Sequence, residues 1–355
     1  RLEAHRASGT ELPSSWHVIA HLEMILLILT VLLGCLTIPS TQAVRAARPK
    51  IKARVSKFLA RKSKDSLCAP QSDRLRVACA GSSITHGGFS PGEKFPDMLQ
   101  DLLGKDYEVK NLGVIGKKVQ RGSDKDWPSP YWFTEEFESL LKCTWDIVVL
   151  TLGTSDATDE GFEGSAQNWN HTFCDAENVT SKCKFWADYD EMIKLVKKSG
   201  SPEIFLTVPP PVTRNSVWGI NQTVVNSIFP KMLPKLAKEN GIRSDHVIDL
   251  FSALGGDRIG DLPEGFFEEG CNGDMKNNSI CKFFCDKEYC DQVHPIVPGK
   301  QRMAQVIEDA LKANSTKIKA KSKKKNKTGH VFHWKDNSTK TSTKNDTGLI
   351  PGPIH

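Results

Sequence analysis

Apolar residues in this chain gather in short blocks, and between the blocks they recur at helical spacing. Five blocks, at residues 75–80, 108–112, 146–152, 203–208 and 246–250, are each followed by helix-compatible sequence. The third contains Ile147-Val148-Val149-Leu150 and the fourth Ile204-Phe205-Leu206. Near-continuous apolar runs of that length suit parallel strands covered on both faces. Helices are predicted over 92–103, 134–141, 186–198, 224–239 and 299–314. In the third of these, Met192, Ile193, Leu195 and Val196 point one way while Lys194, Lys197 and Lys198 point the other. The alternation predicts an α/β fold, a three-layer α/β/α sandwich with right-handed crossovers.

Two stretches interrupt this rhythm. Residues 161–185 carry two N-x-S/T sequons and two cysteines, and read as a disulfide-closed surface excursion. Residues 257–289 are acidic, Gly-rich and hold three cysteines, with Cys290 directly following. They lead directly into Asp291 and are expected to frame the rim of a site. After Asn314 the chain becomes rich in Lys, Ser, Thr and Asn, with almost no apolar residues. Residues 315–355 are therefore expected to form a disordered tail, since they cannot bury enough surface to fold.

The N-terminal region reads as targeting sequence. Met24 to Ile38 is an apolar run of 15 residues, with small residues following at Thr41 and Ala43. Its length suits the apolar segment of a signal peptide better than a spanning helix of about 20 residues. Residues 1–43 are thus a signal peptide or a signal-anchor. The Lys/Arg cluster just after the run favours the first. Residues 44–67 read as a basic linker or propeptide, and 68–314 as the folded domain.

Charge follows the same division. The chain of 355 residues carries a formal +6. Residues 1–43 carry −1, 44–67 carry +8 and 315–355 another +8, which leaves the core at −9. The core has no basic stripe with interleaved aromatics, so nucleic acid is not an expected partner. The basic flanks are candidates for contact with anionic surfaces, beside the plainer reading of solvated segments.

Export has two consequences that the sequence carries. Sequons stand at Asn170, Asn178, Asn221, Asn277, Asn314, Asn326, Asn337 and Asn345, which fits a glycosylated surface in a secreted or luminal protein. Of the 10 cysteines, Cys35 lies in the leader and Cys79 lies inside the first apolar block, as a buried thiol would. The remaining eight, Cys68, Cys143, Cys174, Cys183, Cys271, Cys281, Cys285 and Cys290, suit four disulfides, although eight cysteines allow 105 pairings. Cys174 with Cys183 is the simplest local pair. A zinc cluster at Cys271, Cys281, Cys285 and Cys290 is the alternative; it lacks a paired C-x-x-C spacing.

The chemistry starts where the first block ends, at Gly81-Ser82-Ser83-Ile84-Thr85-His86-Gly87-Gly88. A serine in a strand-to-helix turn sits at the carboxyl edge of an open α/β sheet, where such folds place their sites. Ser83 is a candidate nucleophile, set against simple turn chemistry. It needs a base, and Asp291-Gln292-Val293-His294 supplies His294 with a carboxylate one turn away. It also needs oxyanion donors. Gly113 and Gly116 follow the second block and let backbone N–H groups approach a ligand. Ser155 and Asp156 follow the third block, at the same edge.

The ordered set GSSIT, NLGVIG, LGTSD and DQVHP resembles the SGNH (GDSL-type) hydrolase superfamily of serine esterases and lipases. IFLTVPPPV, VIDLFSAL and HPIVPGKQRMAQVI resemble it too, and the likeness covers about 75–311. It implies a flavodoxin-like, five-stranded parallel sheet of order 2-1-3-4-5 and a serine esterase without metal or cofactor. Ser83 would be the nucleophile, His294 the base and Asp291 its partner. The N–H groups of Ser83 and Gly116 would form the oxyanion hole. Two departures stand out. Ser82 replaces the usual Asp before the nucleophile, and Ser155 replaces the usual oxyanion Asn. A hydroxyl can donate, but losing such a donor costs on the order of 10²–10³ in rate.

The expected function is a secreted serine ester hydrolase acting through an acyl-enzyme. The acidic, Cys-rich rim and the sequon load lean towards a carbohydrate or small acyl ester. The alternatives are a weak or inactive glycan- or surface-binding member of the fold, and an acyltransferase.

Overall fold

A computed structural model describes Cys68 and residues 74–122, 127–158, 169–177, 179, 182–275 and 278–328. The chain divides into the units Arg1–Asp65 and Ser66–His355, and all described residues belong to the second. The leader, the basic linker and the sequons Asn178, Asn277, Asn337 and Asn345 lie outside the described residues.

The five apolar blocks become strands β1 (Leu75–Gly81), β2 (Tyr107–Gly113), β3 (Ile147–Thr151), β4 (Glu203–Val208) and β5 (Val247–Asp249). They form one parallel sheet of order 2-1-3-4-5. The helices α1 (Phe95–Leu103), α2 (Glu135–Lys142), α3 (Lys184–Lys198), α4 (Phe229–Glu239) and α5 (Val297–Thr328) cover its two faces. Alternation along the strands sorts the core into two slabs. Ala78, Ala80, Val148, Leu150 and Leu206 pack with α2, α3 and α4. Val77, Cys79, Ile147, Val149 and Phe205 pack with α1 and α5. Cys79 is a buried free thiol.

Register decides where chemistry can gather. Gly81 pairs with both Gly113 and Thr151, so β1, β2 and β3 end level. The residues that follow them, Ser82, Val114 and Leu152, therefore leave the sheet at one edge. Val114 N–H donates to Gly81 C=O at 3.0 Å and ties two of those exits together.

The eight cysteines form Cys68–Cys143, Cys174–Cys183, Cys271–Cys281 and Cys285–Cys290. The last two consume the thiols of the zinc alternative. The insertion 161–185 proves more than a surface excursion. Its Trp169 is buried against Phe185 and Phe229, with ring centroids 5.5 and 5.3 Å away.

The tail is the main correction. Of the segment 315–355, expected to be disordered, residues 315–328 instead continue α5 to Thr328, and 329–355 lie outside the described residues. The reason is an apolar stripe that composition conceals. Ala304, Ile307 and Leu311 recur at three- and four-residue steps, and the next steps fall on Asn314 and Ile318. Ile318 is only 2% exposed and joins the slab beneath α5. Lys319 reaches Asp106 and Lys321 reaches Glu203 on either side. Asn314, expected as a glycan acceptor, lies on the same buried stripe. Its Nδ2 donates to Ala310 C=O at 3.0 Å and its Oδ1 accepts from Arg243 Nη2 at 2.6 Å. The folded helix thus holds that amide away from solvent.

If α5 is anchored this way, Ile318→Ala will cost about 2 kcal/mol and lower Tm by several degrees. A melting scan checks it; an unchanged Tm would show that the extension does not belong to the folded unit.

Candidate active site

After β1 the chain enters a one-turn helix, Ser83–His86, with Ser82 at its N-cap. The turn sits directly on the end of β2. Asn111 Nδ2 donates to Thr85 C=O at 3.0 Å, while Asn111 Oδ1 accepts from Gly113 N–H at 2.9 Å. A Cβ at Gly113 would collide with the His86 backbone nitrogen, so glycine is required there. Ser83 is 9% exposed, enough to meet a substrate and too little to be bathed in water.

His294 comes from the other end of the domain and meets Ser83. Its Nε2 lies 2.8 Å from Ser83 Oγ, and its Nδ1 lies 2.5 Å from Asp291 Oδ2. The carboxylate accepts a hydrogen bond from Nδ1–H, and this tautomer leaves Nε2 as acceptor for the serine hydroxyl. Asp291 is held by its own turn, since Oδ1 accepts the N–H groups of Val293 at 3.0 Å and His294 at 2.7 Å. Tyr289 donates its hydroxyl to Oδ2 as well. Burial pushes the Asp291 carboxyl up, but the bonds from His294 and Tyr289 outweigh it and hold the carboxyl below its ordinary value.

Gln292, the residue after Asp291, is buried with φ +71° and acts as a fastening. Its Oε1 accepts from Cys271 N–H at 2.8 Å and Thr213 Oγ1 at 2.7 Å, and its Nε2 donates to Cys271 C=O at 2.9 Å. Thr213 is steadied in turn by Asn226, whose side chain bonds both N–H and C=O of Val212 at 3.0 and 2.8 Å. Asn226 stands in the π-helical segment Val224–Ile228 just before α4. The Cys285–Cys290 disulfide closes the loop immediately before Asp291.

The oxyanion candidates share this edge. Gly116 lies in the turn after β2 with φ +63°, and its C=O accepts from Ser129 N–H at 2.9 Å. Ser155 lies in the 3₁₀ turn Thr154–Ala157 that follows β3. Asp156, next to it, had no assigned role in the sequence reading. It is fully buried and accepts the N–H groups of Val119 at 2.9 Å and Gln120 at 2.8 Å. It thereby pins the far end of the loop that carries Gly116, while Val114 pins the near end.

Tyr289, Gln292, Asn111 and Asn226 also escaped the sequence reading. Only Tyr289 and Gln292 carried a signal, their adjacency to the D-x-x-H set.

The sequence of residues 79–302 matches the model of the GDSL-like lipase/acylhydrolase family, a span that contains Ser83, Gly116, Ser155, Asp291 and His294. The chain belongs to this family. It is 28% identical over 268 residues to an acetylxylan esterase from Xylanibacter ruminicola, a match covering 70% of this chain and 45% of that protein. The chain thus spans less than half the length of that relative. Among solved structures, a GDSL-like lipase from Bacteroides thetaiotaomicron is 17% identical, with 71% of this chain and 95% of that one covered and a TM-score of 0.45. A putative acylhydrolase from Bacteroides fragilis is also 17% identical, with 71% and 94% covered and a TM-score of 0.43.

Asp156 makes a pH prediction. Burial is the larger influence and raises its carboxyl to about 7, although the two N–H bonds pull the other way. A carboxyl raised in the folded state favours folding below its unfolded value of about 4 and loses that contribution as pH rises through the folded value. Its share of stability therefore falls between about pH 4 and pH 7. Asp156→Asn, which also loses one N–H acceptor, should lower Tm at pH 5 and flatten its decline towards pH 8. Parallel Tm profiles for the two proteins would contradict this.

Proposed function

We propose that this chain is a serine ester hydrolase of the exported compartment that removes small acyl groups, chiefly acetyl, from carbohydrate hydroxyls. The observation that carries the reading is the continuous relay from Asp291 through His294 to Ser83, at 2.5 and 2.8 Å. Ser83 Oγ attacks the ester carbonyl and passes its proton to His294 Nε2. The imidazolium, steadied by Asp291, returns that proton to the departing sugar oxygen. An acyl group then rests on Ser83, and a water activated by His294 releases it as the free acid.

Charge on the carbonyl oxygen falls to the N–H groups of Ser83 and Gly116 and to the Ser155 hydroxyl. The Ser83 N–H opens a helical turn and has no acceptor within that turn. Preference for a carbohydrate ester is supported by the acetylxylan esterase relative. Export is supported by four disulfides, by the apolar run at 24–38 and by sequons such as the exposed Asn170. Ser155 in place of the family's Asn favours a second reading, a slow or inactive glycan-binding member.

Acetate release from acetylated xylan and from p-nitrophenyl acetate decides between them. The wild-type chain should turn over both, and Ser83→Ala should lose at least about 10³-fold. Equal rates in the two proteins would end the proposal. Ser155→Asn should raise kcat several-fold if residue 155 faces the oxyanion; no change would remove it from that role.

A further inference from the structure

Large aromatic side chains normally hide their faces, and most here do. Three that are more than a third exposed sit on the segments that carry or touch the site residues. Phe89 is 39% exposed, Trp218 is 40% exposed and Trp127 is 46% exposed. Phe89 lies against the catalytic imidazole, with its ring centroid 4.8 Å from that of His294. Trp218 extends the surface outward, 5.7 Å from Phe89. Trp127 stands on the other flank, its six-membered ring filling the space that a Cβ at Gly116 would need. Between the flanks, Ile115 packs against Gly88, the residue before Phe89. Phe89 and Trp218 thus lie on the His294 side of the site, and Trp127 lies against Gly116, the oxyanion candidate.

The backbone beneath each ring is fastened. Ser90 Oγ donates to Pro295 C=O at 2.8 Å, and Lys300 Nζ donates to the C=O groups of Ser90 and Pro91 at 3.1 and 2.8 Å. Those bonds lock Phe89 to the loop that carries His294. Trp218 has φ +57°, a left-handed conformation costly for a bulky residue. That turn is held by Ser216 N–H on Ile220 C=O and by Asn221 N–H on Ala157 C=O. Trp127 is kept beside Gly116 by the Ser129 N–H bond to Gly116 C=O. A strained, well-anchored tryptophan presented to water is a feature that stability alone does not explain.

We infer that Phe89, Trp218 and Trp127 form a saccharide platform on which the sugar rings flanking the acylated unit stack. The inference rests on the carbohydrate-ester reading above and names the residues that would recognise the glycan. A pyranose ring carries C–H groups on its faces and hydroxyls around its edge. Its faces suit open aromatic rings, while its edge remains hydrated. A long acyl chain has no hydrated edge and needs enclosure on all sides, which rings with more than a third of their surface exposed do not provide. Platforms on both flanks of the nucleophile fit a chain that passes across the serine better than a single sugar entering end-on. Because the rings are already fixed, little ordering cost accompanies binding.

Two readouts test this on the full chain. In the first, xylohexaose is titrated into the Ser83→Ala protein by calorimetry. Adding Trp218→Ala or Trp127→Ala should weaken binding roughly threefold to tenfold each, with circular dichroism confirming that the variants fold. In the second, kcat/KM of each single Trp variant is compared on acetylated xylo-oligosaccharides, ethyl acetate and p-nitrophenyl octanoate. The oligosaccharide value should fall several-fold more than either other value, chiefly through KM. Absent xylohexaose binding, equal affinity in the variants, or losses concentrated on the octanoate would each overturn the platform. Binding of xylohexaose without ester turnover would instead sink the hydrolase reading and leave the platform standing.

Discussion

His294 and Ser83 meet across 211 residues of sequence, and their 2.8 Å contact depends on where the sheet ends. Because β1, β2 and β3 finish in register, the turns after them are forced into one another's company. The Ser83 turn can then rest on Gly113 and bond Asn111, and the loop that carries His294 needs only to arrive at that edge. Misplacing β2 by one residue would separate these parts and turn its side chains to the opposite slab. The hydrophobic sorting that builds the two slabs is therefore also what assembles the site.

Most of the polar work at that edge is positional. Asp156 holds the Gly116 loop through two backbone N–H groups, while Gln292 and Asn226 hold the loop that leads into His294. Tyr289 and the two N–H groups of the Asp291 turn fix the carboxylate before any substrate arrives. Such fixed donors and acceptors are what electrostatic catalysis requires, since groups already oriented need no rearrangement as charge develops. The arrangement also accounts for the disulfides around 271–290. A long irregular stretch must present one carboxylate and one imidazole accurately, and two covalent closures limit how far it can wander.

The central strands β3 and β4 were the most legible, because they are buried on both faces and so read as nearly unbroken apolar blocks. Ser83 and the D-x-x-H pair stood out because the turn and the spacing that mark them are local, and the fold brings the three side chains together. What escaped was non-local. Trp169 and Asp156 owe their roles to partners brought near only by folding, and nothing beside them in the chain announces those partners. The tail was misread because composition averages over a helix, whereas burial follows one stripe. Ile318 continues that stripe amid lysines that face outward, and Asn314 is drawn into the interior by its place on it. The exposed rings at 89, 127 and 218 are scattered through three segments, and only the fold sets Phe89 against His294, Trp218 beside Phe89 and Trp127 against Gly116.

The central claim is that Ser83 is made nucleophilic by His294, and covalent trapping reads this without assuming any substrate. The full chain is treated with a fluorophosphonate near neutral pH and mapped by peptide mass spectrometry. A single adduct on Ser83, at least about 10²-fold slower to form in His294→Ala, is the predicted result. Absence of an adduct, modification of a different serine, or equal labelling of the two proteins would contradict the account.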